Sequence, residues 1–116
     1  MEFTSKTKNP NFPDVWDVDP KEVLNRKTEV TLVDVRRPEE YTGELGHAPG
    51  ASLLTLDQLP EKIETLPQEK PIVFICRSGA RSGQATAFAQ ENGFSEVYNM
   101  RGGMLLWNEY GLGTEK

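Results

Sequence analysis

The chain contains very few of the residues that cross-link proteins or bind metals. Among its 116 residues there is one cysteine, Cys76, and one histidine, His47. A single thiol cannot form an internal disulfide, and a zinc site would have to be built mostly from carboxylates. The sequence therefore predicts neither a disulfide framework nor a metal centre.

Long apolar runs and an excess of positive charge are also missing. No stretch approaches the roughly 18 apolar residues of a membrane span, and the first residues lack the apolar core of a signal peptide. The formal net charge of −5 disfavours nucleic acid or an anionic membrane as a partner. These observations predict a cytoplasmic protein that binds neither nucleic acid nor membrane.

Strand-like and helix-like segments alternate along most of the chain. Residues 1–13 are polar and contain two prolines, which predicts a loose N-terminal arm, and residues 14–116 are long enough for a single domain. Apolar or β-branched runs predict strands at residues 15–18, 30–35, 51–54, 72–75 and 96–99. Short helices are predicted to begin at Pro20 and Pro38, and a longer one to cover residues 84–92. This alternation predicts an α/β fold, with a parallel sheet and helices on both of its faces.

Cys76 lies where a thiol can be chemically active. It ends an apolar strand and opens a short loop that precedes a predicted helix. Loop amides and a helix N-terminus both favour the thiolate form of a cysteine, and Arg77 and Arg81 add positive charge. A lone cysteine after an apolar run can instead be an inert core residue. The loop that follows favours the reactive interpretation.

The topology predicts what else lies near this thiol. In a parallel sheet, ligands bind outside the carboxyl ends of the strands. Cys76 ends one predicted strand, and Asp34 and Arg36 lie at the end of another, so all three should face one rim of the sheet. The six positions from Cys76 to Arg81 form a cradle better suited to a single sulfur atom than to a phosphate group.

Four segments, in this order along the chain, resemble the signatures of single-domain rhodaneses, which are sulfurtransferases. They are residues 32–41, the turn at residues 46–51, the loop at residues 76–82, and Gly102-Gly103 with Trp107. The resemblance implies a five-stranded parallel sheet between helices, with no cofactor. It also implies that a sulfane sulfur passes from a donor to Cys76, and from there to a nucleophilic acceptor.

The resemblance also implies roles for individual residues. Cys76 would be the nucleophile and would carry the sulfur as a persulfide. Asp34 and Arg36 would support the site, while Ser82 would either donate a hydrogen bond to the thiolate or cap the following helix. The cradle for the sulfur would be the active-site loop formed by Arg77, Ser78, Gly79, Ala80 and Arg81. The side chains of Arg77 and Arg81 would attract the anionic donor.

The sequence departs from the pattern of the two-domain thiosulfate enzymes of this family at one position. Where those enzymes carry a substrate-binding arginine, this chain has Glu40. The sulfur donor therefore stays open between thiosulfate and a low-molecular-weight persulfide or polysulfide. The acceptor stays open between a small thiol, cyanide and a sulfur-accepting protein.

Two other functional classes stay open from sequence alone. Phosphatases and arsenate reductases also use a loop that begins with cysteine and ends with arginine. The phosphatase pattern, however, has five residues between them and this chain has four. A non-catalytic interaction module is the third class, although inactive members of the fold usually lack the cysteine that is present here.

Overall fold

The computed structural model describes residues 2–116, which fold into one mixed sheet with helices on both faces. The strands are β1 (Thr7–Lys8), β2 (Trp16–Val18), β3 (Thr31–Asp34), β4 (Ser52–Leu53), β5 (Ile72–Ile75) and β6 (Val97–Met100). The helices are α1 (Pro20–Asn25), α2 (Pro38–Tyr41), α3 (Leu59–Lys62), α4 (Ala80–Glu91) and α5 (Gly103–Glu109), and a 3-10 turn (Ile63–Thr65) follows α3. No helix within residues 2–116 is long and apolar enough to cross a membrane.

The strands lie in the order β1-β2-β6-β5-β3-β4. All neighbours from β2 to β4 in this order pair in parallel, which confirms the predicted five parallel strands. A sixth strand, β1, pairs antiparallel with β2 at one edge and was not predicted. In the central register Asp34 of β3 lies beside Ile75 of β5. The ends of these two strands therefore meet at the same rim, as the topology predicted.

The central strand β5 is buried on both faces because its side chains alternate between two apolar clusters. Val73 and Ile75 join the cluster that also contains residues of α1 and α5, such as Trp107. Ile72 and Phe74 join the cluster formed with residues of α3 and α4. Burying each large apolar side chain contributes about 1.5–3 kcal/mol. These two layers hold the strand that delivers Cys76 to the rim.

Helix α4 lies close to the sheet because small side chains face it. Ala85 and Ala89 are fully buried and belong to the cluster around Phe74. Helix α4 packs on both β5 and β6. This packing places the N-terminus of α4 at the carboxyl end of β5, immediately beside Cys76.

The N-terminal segment is packed against the domain, which differs from the expected loose arm. Within residues 2–13, Phe3 is buried in the core and its ring meets that of Tyr98 edge to face, with centroids 4.8 Å apart. Thr7–Lys8 forms β1 along the edge of the sheet. Met1, the remaining residue of the predicted arm, lies outside the described residues. Local polarity and prolines predicted looseness, but long-range packing decides the outcome.

A carboxylate of α1 anchors this segment. Glu22 accepts hydrogen bonds from the backbone and hydroxyl groups of Thr4 and Ser5, at 2.6–3.1 Å. Burial by itself raises the pKa of Glu22, but the hydrogen bonds from Ser5 and Thr4 outweigh it and lower that pKa to about 2. The segment is therefore tied to the domain by charge-assisted hydrogen bonds as well as by Phe3.

Candidate active site

The thiol of Cys76 lies at the floor of the loop between β5 and α4. The residue is 1% exposed, and its Sγ accepts a hydrogen bond from the backbone N–H of Gly79 at 3.0 Å. Gly79 has φ +104° and precedes the first residue of α4. This left-handed conformation favours glycine, and it turns the chain so that an amide points at the sulfur.

Helix α4 begins four residues earlier than the sequence predicted. It starts at Ala80 rather than at residue 84, so Ala80, Arg81 and Ser82 form its first turn. Ser82 is thus inside the helix and is not its cap, because the N-cap position belongs to Gly79. The positive end of a 12-residue helix therefore begins directly beside the thiol.

The loop is held from outside by the N-terminus of α5. The N–H of Met104 donates to the carbonyl of Cys76 at 2.8 Å, and that of Leu105 donates to the carbonyl of Arg77 at 3.0 Å. Gly103 has φ +57°, and a Cβ atom there would overlap the carbonyl oxygens of Cys76 and Arg77. Because a trans peptide places its N–H opposite its carbonyl, the N–H groups of Arg77 and Ser78 point away from α5.

A chain of buried polar side chains leads away from the sulfur. The Ser82 hydroxyl lies 3.2 Å from Cys76 Sγ and also contacts Asn99 Oδ1. Asn99 Nδ2 donates to Asp17 Oδ1 at 2.9 Å, and Asn9 Nδ2 donates to the same oxygen at 2.9 Å. Sequence reasoning identified Ser82 but missed the other three. The one available signal was a polar residue, Asn99, within an otherwise apolar strand.

Arg81, predicted to bind an anionic donor, forms a two-point ion pair with Glu40 of α2. Its Nη1 lies 2.7 Å from Glu40 Oε1 and its Nη2 lies 2.9 Å from Oε2. This hydrogen-bonded pair lowers the pKa of Glu40 to about 2. Glu40 therefore stays ionised near neutral pH and compensates the charge that was expected to attract the donor.

Arg36 and Asp34 form a second ion pair, which is fully buried. Arg36 Nη2 lies 2.8 Å from Asp34 Oδ2 and donates to the carbonyl of Gly46 at 2.7 Å. The two side chains are 1% and 0% exposed. This pair lies at the rim, beneath the surface, and holds the turn before His47. Neither residue is hydrogen-bonded to Sγ, and the role of the pair in supporting the site stays a prediction.

His47 is held in this turn and does not contact the thiol loop. Its Nδ1–H donates to the carbonyl of Tyr41 at 2.8 Å, and its ring stacks on that of Tyr41 with centroids 3.7 Å apart. Its backbone also pairs with Glu115 near the end of the chain. These contacts assign His47 a structural place, as the turn suggested.

The rim opens into a small acidic cleft. A cavity of about 280 Å³ is lined by Arg36, Glu39, Glu40, Gly43, Glu44, Leu45 and Arg77. A larger cleft of about 500 Å³ lies between residues 12–15 and α4, and no residue of the thiol loop lines it. We therefore place the candidate site at the smaller cleft. Residues 2–116 contain no group of three or more His, Cys, Asp or Glu side chains placed to hold a metal ion.

Comparison with known proteins agrees with this geometry. Residues 19–110 match the family described as Rhodanese-like domain. A sulfurtransferase of Allochromatium vinosum is 39% identical over 84 residues, covering 72% of this chain and 77% of that protein. The thiosulfate sulfurtransferase GlpE of Pseudoalteromonas translucida is 32% identical over 81 residues, covering 70% of this chain and 75% of its own.

Solved structures give the same result. The crystal structure of a rhodanese-related protein from Thermoplasma volcanium superposes with a TM-score of 0.78 at 26% identity, covering 84% of this chain and 94% of that chain. The two folds therefore match over nearly the full length of the Thermoplasma volcanium protein. The thiol loop, the sheet and these similarities together show that the chain belongs to the rhodanese-like domain family.

Proposed function

We propose that this protein is a sulfurtransferase that carries a sulfane sulfur on Cys76 as a persulfide. The observation that supports the proposal is the position of Sγ, which lies at the N-terminus of α4 and accepts the Gly79 N–H at 3.0 Å. Positive helix ends and backbone donors stabilise a thiolate, which is the nucleophilic form of cysteine. Persulfide formation gives the sulfurtransferase activity a chemical route that needs no second cysteine.

The proposed reaction balances in two steps. The Cys76 thiolate attacks the outer sulfur of thiosulfate, the sulfur–sulfur bond of the donor breaks, and sulfite leaves with the bonding electron pair. Cys76 then carries the transferred sulfur as a terminal anion. An acceptor thiolate or cyanide attacks that terminal sulfur and takes it, and the Cys76 thiolate leaves with its electron pair. No external oxidant or reductant is required.

The backbone of residues 77–81 is the proposed cradle for the terminal sulfur. The carbonyls of Cys76 and Arg77 point toward α5 and are hydrogen-bonded to it. The N–H groups of Arg77 and Ser78, on the opposite sides of the same two peptides, are therefore available to bind an anion. Ala80 and Arg81 supply the amides at the start of α4, which have no hydrogen-bond partner within the helix, and the N–H of Gly79 already donates to Sγ. Fixed donors of this kind stabilise charge without reorganising during the reaction.

The charges that line the cleft favour some sulfur donors over others. The side chain of Arg81 is paired with Glu40, and carboxylates of Glu39 and Glu44 also line the cleft. Arg77 has no ion-pair partner among residues 2–116 and is the cation best placed to meet an anionic donor. We propose thiosulfate and low-molecular-weight persulfides as donors, with the less charged persulfides favoured. The same pairing of Arg81 disfavours a phosphatase, which needs its loop arginine on the phosphate.

The test is turnover of thiosulfate and cyanide to thiocyanate and sulfite, with Cys76→Ser as the decisive variant. Wild type should be active and should gain the mass of one sulfur atom when donor is present without acceptor. Cys76→Ser should neither turn over these substrates nor gain sulfur, because a serine hydroxyl does not ionise in the pH range of the assay. It should unfold at the same denaturant concentration as wild type. Turnover in folded Cys76→Ser, or wild type that gains no sulfur from either donor class, would refute the proposal.

A further inference from the structure

Ser82 has one hydroxyl hydrogen and two neighbours that can accept it. Its Oγ lies 3.2 Å from Cys76 Sγ and closer still to Asn99 Oδ1. All three side chains are buried. A hydroxyl can donate only once, so which neighbour receives the hydrogen determines whether Ser82 offers the sulfur a donor or a lone pair.

The N-terminal segment fixes the orientation of this polar chain at its far end. Asn9 Oδ1 accepts from the backbone N–H groups of Asn11 at 2.8 Å and Phe12 at 3.0 Å. Backbone N–H groups can only donate, so the amide oxygen of Asn9 must face them. Its Nδ2 must then face Asp17, to which it donates at 2.9 Å.

Asp17 passes this orientation on to Asn99. Asp17 Oδ1, which accepts from Asn9 Nδ2, also accepts a hydrogen bond from Asn99 Nδ2 at 2.9 Å. The amide oxygen of Asn99 is thereby directed at Ser82. The Ser82 hydrogen goes to Asn99, and the hydroxyl presents its lone pairs to Cys76 Sγ.

We infer that Asn99, oriented by Asp17 and Asn9, is a positioning residue that withholds the Ser82 hydrogen from the Cys76 thiolate. The inference rests on the proposed function, in which Sγ alternates between a thiolate and the inner sulfur of a persulfide. The thiolate carries a full charge and gains from a donor. The inner sulfur of a persulfide is neutral and needs none, because the charge lies on the terminal sulfur.

The network therefore favours the persulfide form of Cys76, in which the residue is loaded with sulfur, over its free thiolate form. For Ser82 to donate to the thiolate, it must give up its bond to Asn99. Removing that competing acceptor should stabilise the thiolate. Since thiols of lower pKa leave faster in sulfur exchange, it should also speed the transfer of sulfur from loaded Cys76 to an acceptor thiol.

Other charges near the sulfur are the same in every variant that tests this inference. They lie on each element around the thiol: Arg77 and Arg81 from the loop and α4, Asp34 at the end of β3, Arg36 just after it, Glu40 from α2, and Asp17 from β2. None of these residues is substituted in the test. A change in the behaviour of the thiol then reports the hydroxyl of Ser82.

The experiment is the pH dependence of alkylation of Cys76 by iodoacetamide in Asn99→Leu, Ser82→Ala and the double variant. Asn99→Leu should move the midpoint about one unit toward lower pH, because a hydrogen bond to a charged group is gained. Ser82→Ala alone should move it less, since Ser82 donates to Asn99 in the wild type. The midpoint of the double variant should match that of Ser82→Ala, because without the Ser82 hydroxyl there is no hydrogen for Asn99 to accept.

The matched control is Thr86→Val, which removes a buried hydroxyl that donates to the Ser82 carbonyl at 2.7 Å. It disturbs the same turn of α4 but not the polar chain, so its midpoint should equal that of wild type. An unchanged midpoint in Asn99→Leu, or an equal fall in Thr86→Val or in the double variant, would overturn the inference. If Asn99→Leu does not fold, a rise of about one unit in Ser82→Ala would overturn it, because that shows donation to the sulfur. Alkylation needs no sulfur transfer, so this result is separate from the test with Cys76→Ser.

Discussion

Two arginine–carboxylate pairs lie at the same rim of the sheet and have different consequences. Arg36 and Asp34 are buried and two positions apart, and Arg36 also donates to the Gly46 carbonyl. Arg81 and Glu40 are 41 positions apart and join α4 to α2, with Arg81 still 33% exposed. Breaking the first pair leaves a charge in the core, whereas breaking the second releases a charge into a cleft that opens to solvent.

This difference separates residues that support the fold from residues that set the properties of the site. A buried ion pair is costly to break because the remaining partner stays desolvated. A pair at a solvent-filled cleft is screened, and its partners can be hydrated when separated. We therefore expect substitutions of Arg36 to act on stability, and substitutions of Glu40 to cost less stability and to act on the substrate as well.

The largest expected effect is that of Arg36→Ala. Removing the guanidinium leaves Asp34 without its buried partner and the Gly46 carbonyl without a donor, which should lower the free energy of unfolding by about 3–5 kcal/mol. Urea denaturation followed by tryptophan fluorescence measures it. A loss below about 1 kcal/mol, the range of exposed pairs, would show that this pair does not support the fold as its burial indicates.

A smaller effect is expected in acid, through Glu40. Its pKa lies at about 2 in the folded protein against an ordinary 4.5, so its ionised form stabilises the fold above about pH 4.5. That contribution is lost as the pH falls toward 2, and it amounts to at most about 3 kcal/mol before solvent screening. Glu40→Gln should therefore be less stable than wild type at neutral pH and equally stable near pH 2. Two stability curves separated by the same amount at every pH would contradict this linkage.

The effect on the substrate should be a several-fold change in KM. Glu40→Gln removes the negative charge held against Arg81, so KM for thiosulfate should fall while KM for a less charged persulfide donor changes little. Charge-assisted contacts of about 1.5–3 kcal/mol correspond to roughly 10-fold or more, and exposure reduces this. Adding Arg81→Ala to Glu40→Gln should reverse the gain. Equal changes for both donors would show that the charge of Glu40 is not responsible.

The smallest effect is expected for a third pair, which serves as the control for the other two. Arg37 Nε lies 3.3 Å from Glu39 Oε2, but the two side chains are 69% and 71% exposed. Arg37→Ala should change the free energy of unfolding by less than about 0.5 kcal/mol. A larger loss would mean that exposure is a poor guide to these pairs.

The sequence predicted the parts of the site that lie close together along the chain. Cys76, its loop and the start of a helix are consecutive, and the register of β3 beside β5 follows from a parallel sheet. The sequence did not predict that Ala80 and Arg81 are already helical. Gly83, a residue type that is unfavourable inside helices, lies within α4 where Asn9 and Phe12 pack closely against it.

The contacts that the sequence did not predict join distant residues. Arg81 pairs with Glu40, which is 41 positions away, and Asn99 bonds Asp17, which is 82 positions away. Periodicity and capping signals describe neighbours on one element and carry no information about such pairs. For the same reason the N-terminal segment was expected to be loose. Its anchors, Phe3 and the partners of Glu22, act only after α1 and β6 are in place.

The turn at Gly102 and Gly103 has a consequence for the order of events during synthesis. Cys76 emerges from the ribosome well before Met104 and Leu105, whose N–H groups fix the orientation of its loop. A nascent chain that ends between these points carries an ordinary cysteine with no rigid cradle. The thiol gains these surroundings only when α5, which follows it in the chain, docks against its loop. We therefore expect the reactivity proposed for the thiol to depend on completion of the domain, because a chain truncated before this turn keeps the cysteine but lacks the contacts that fix its loop.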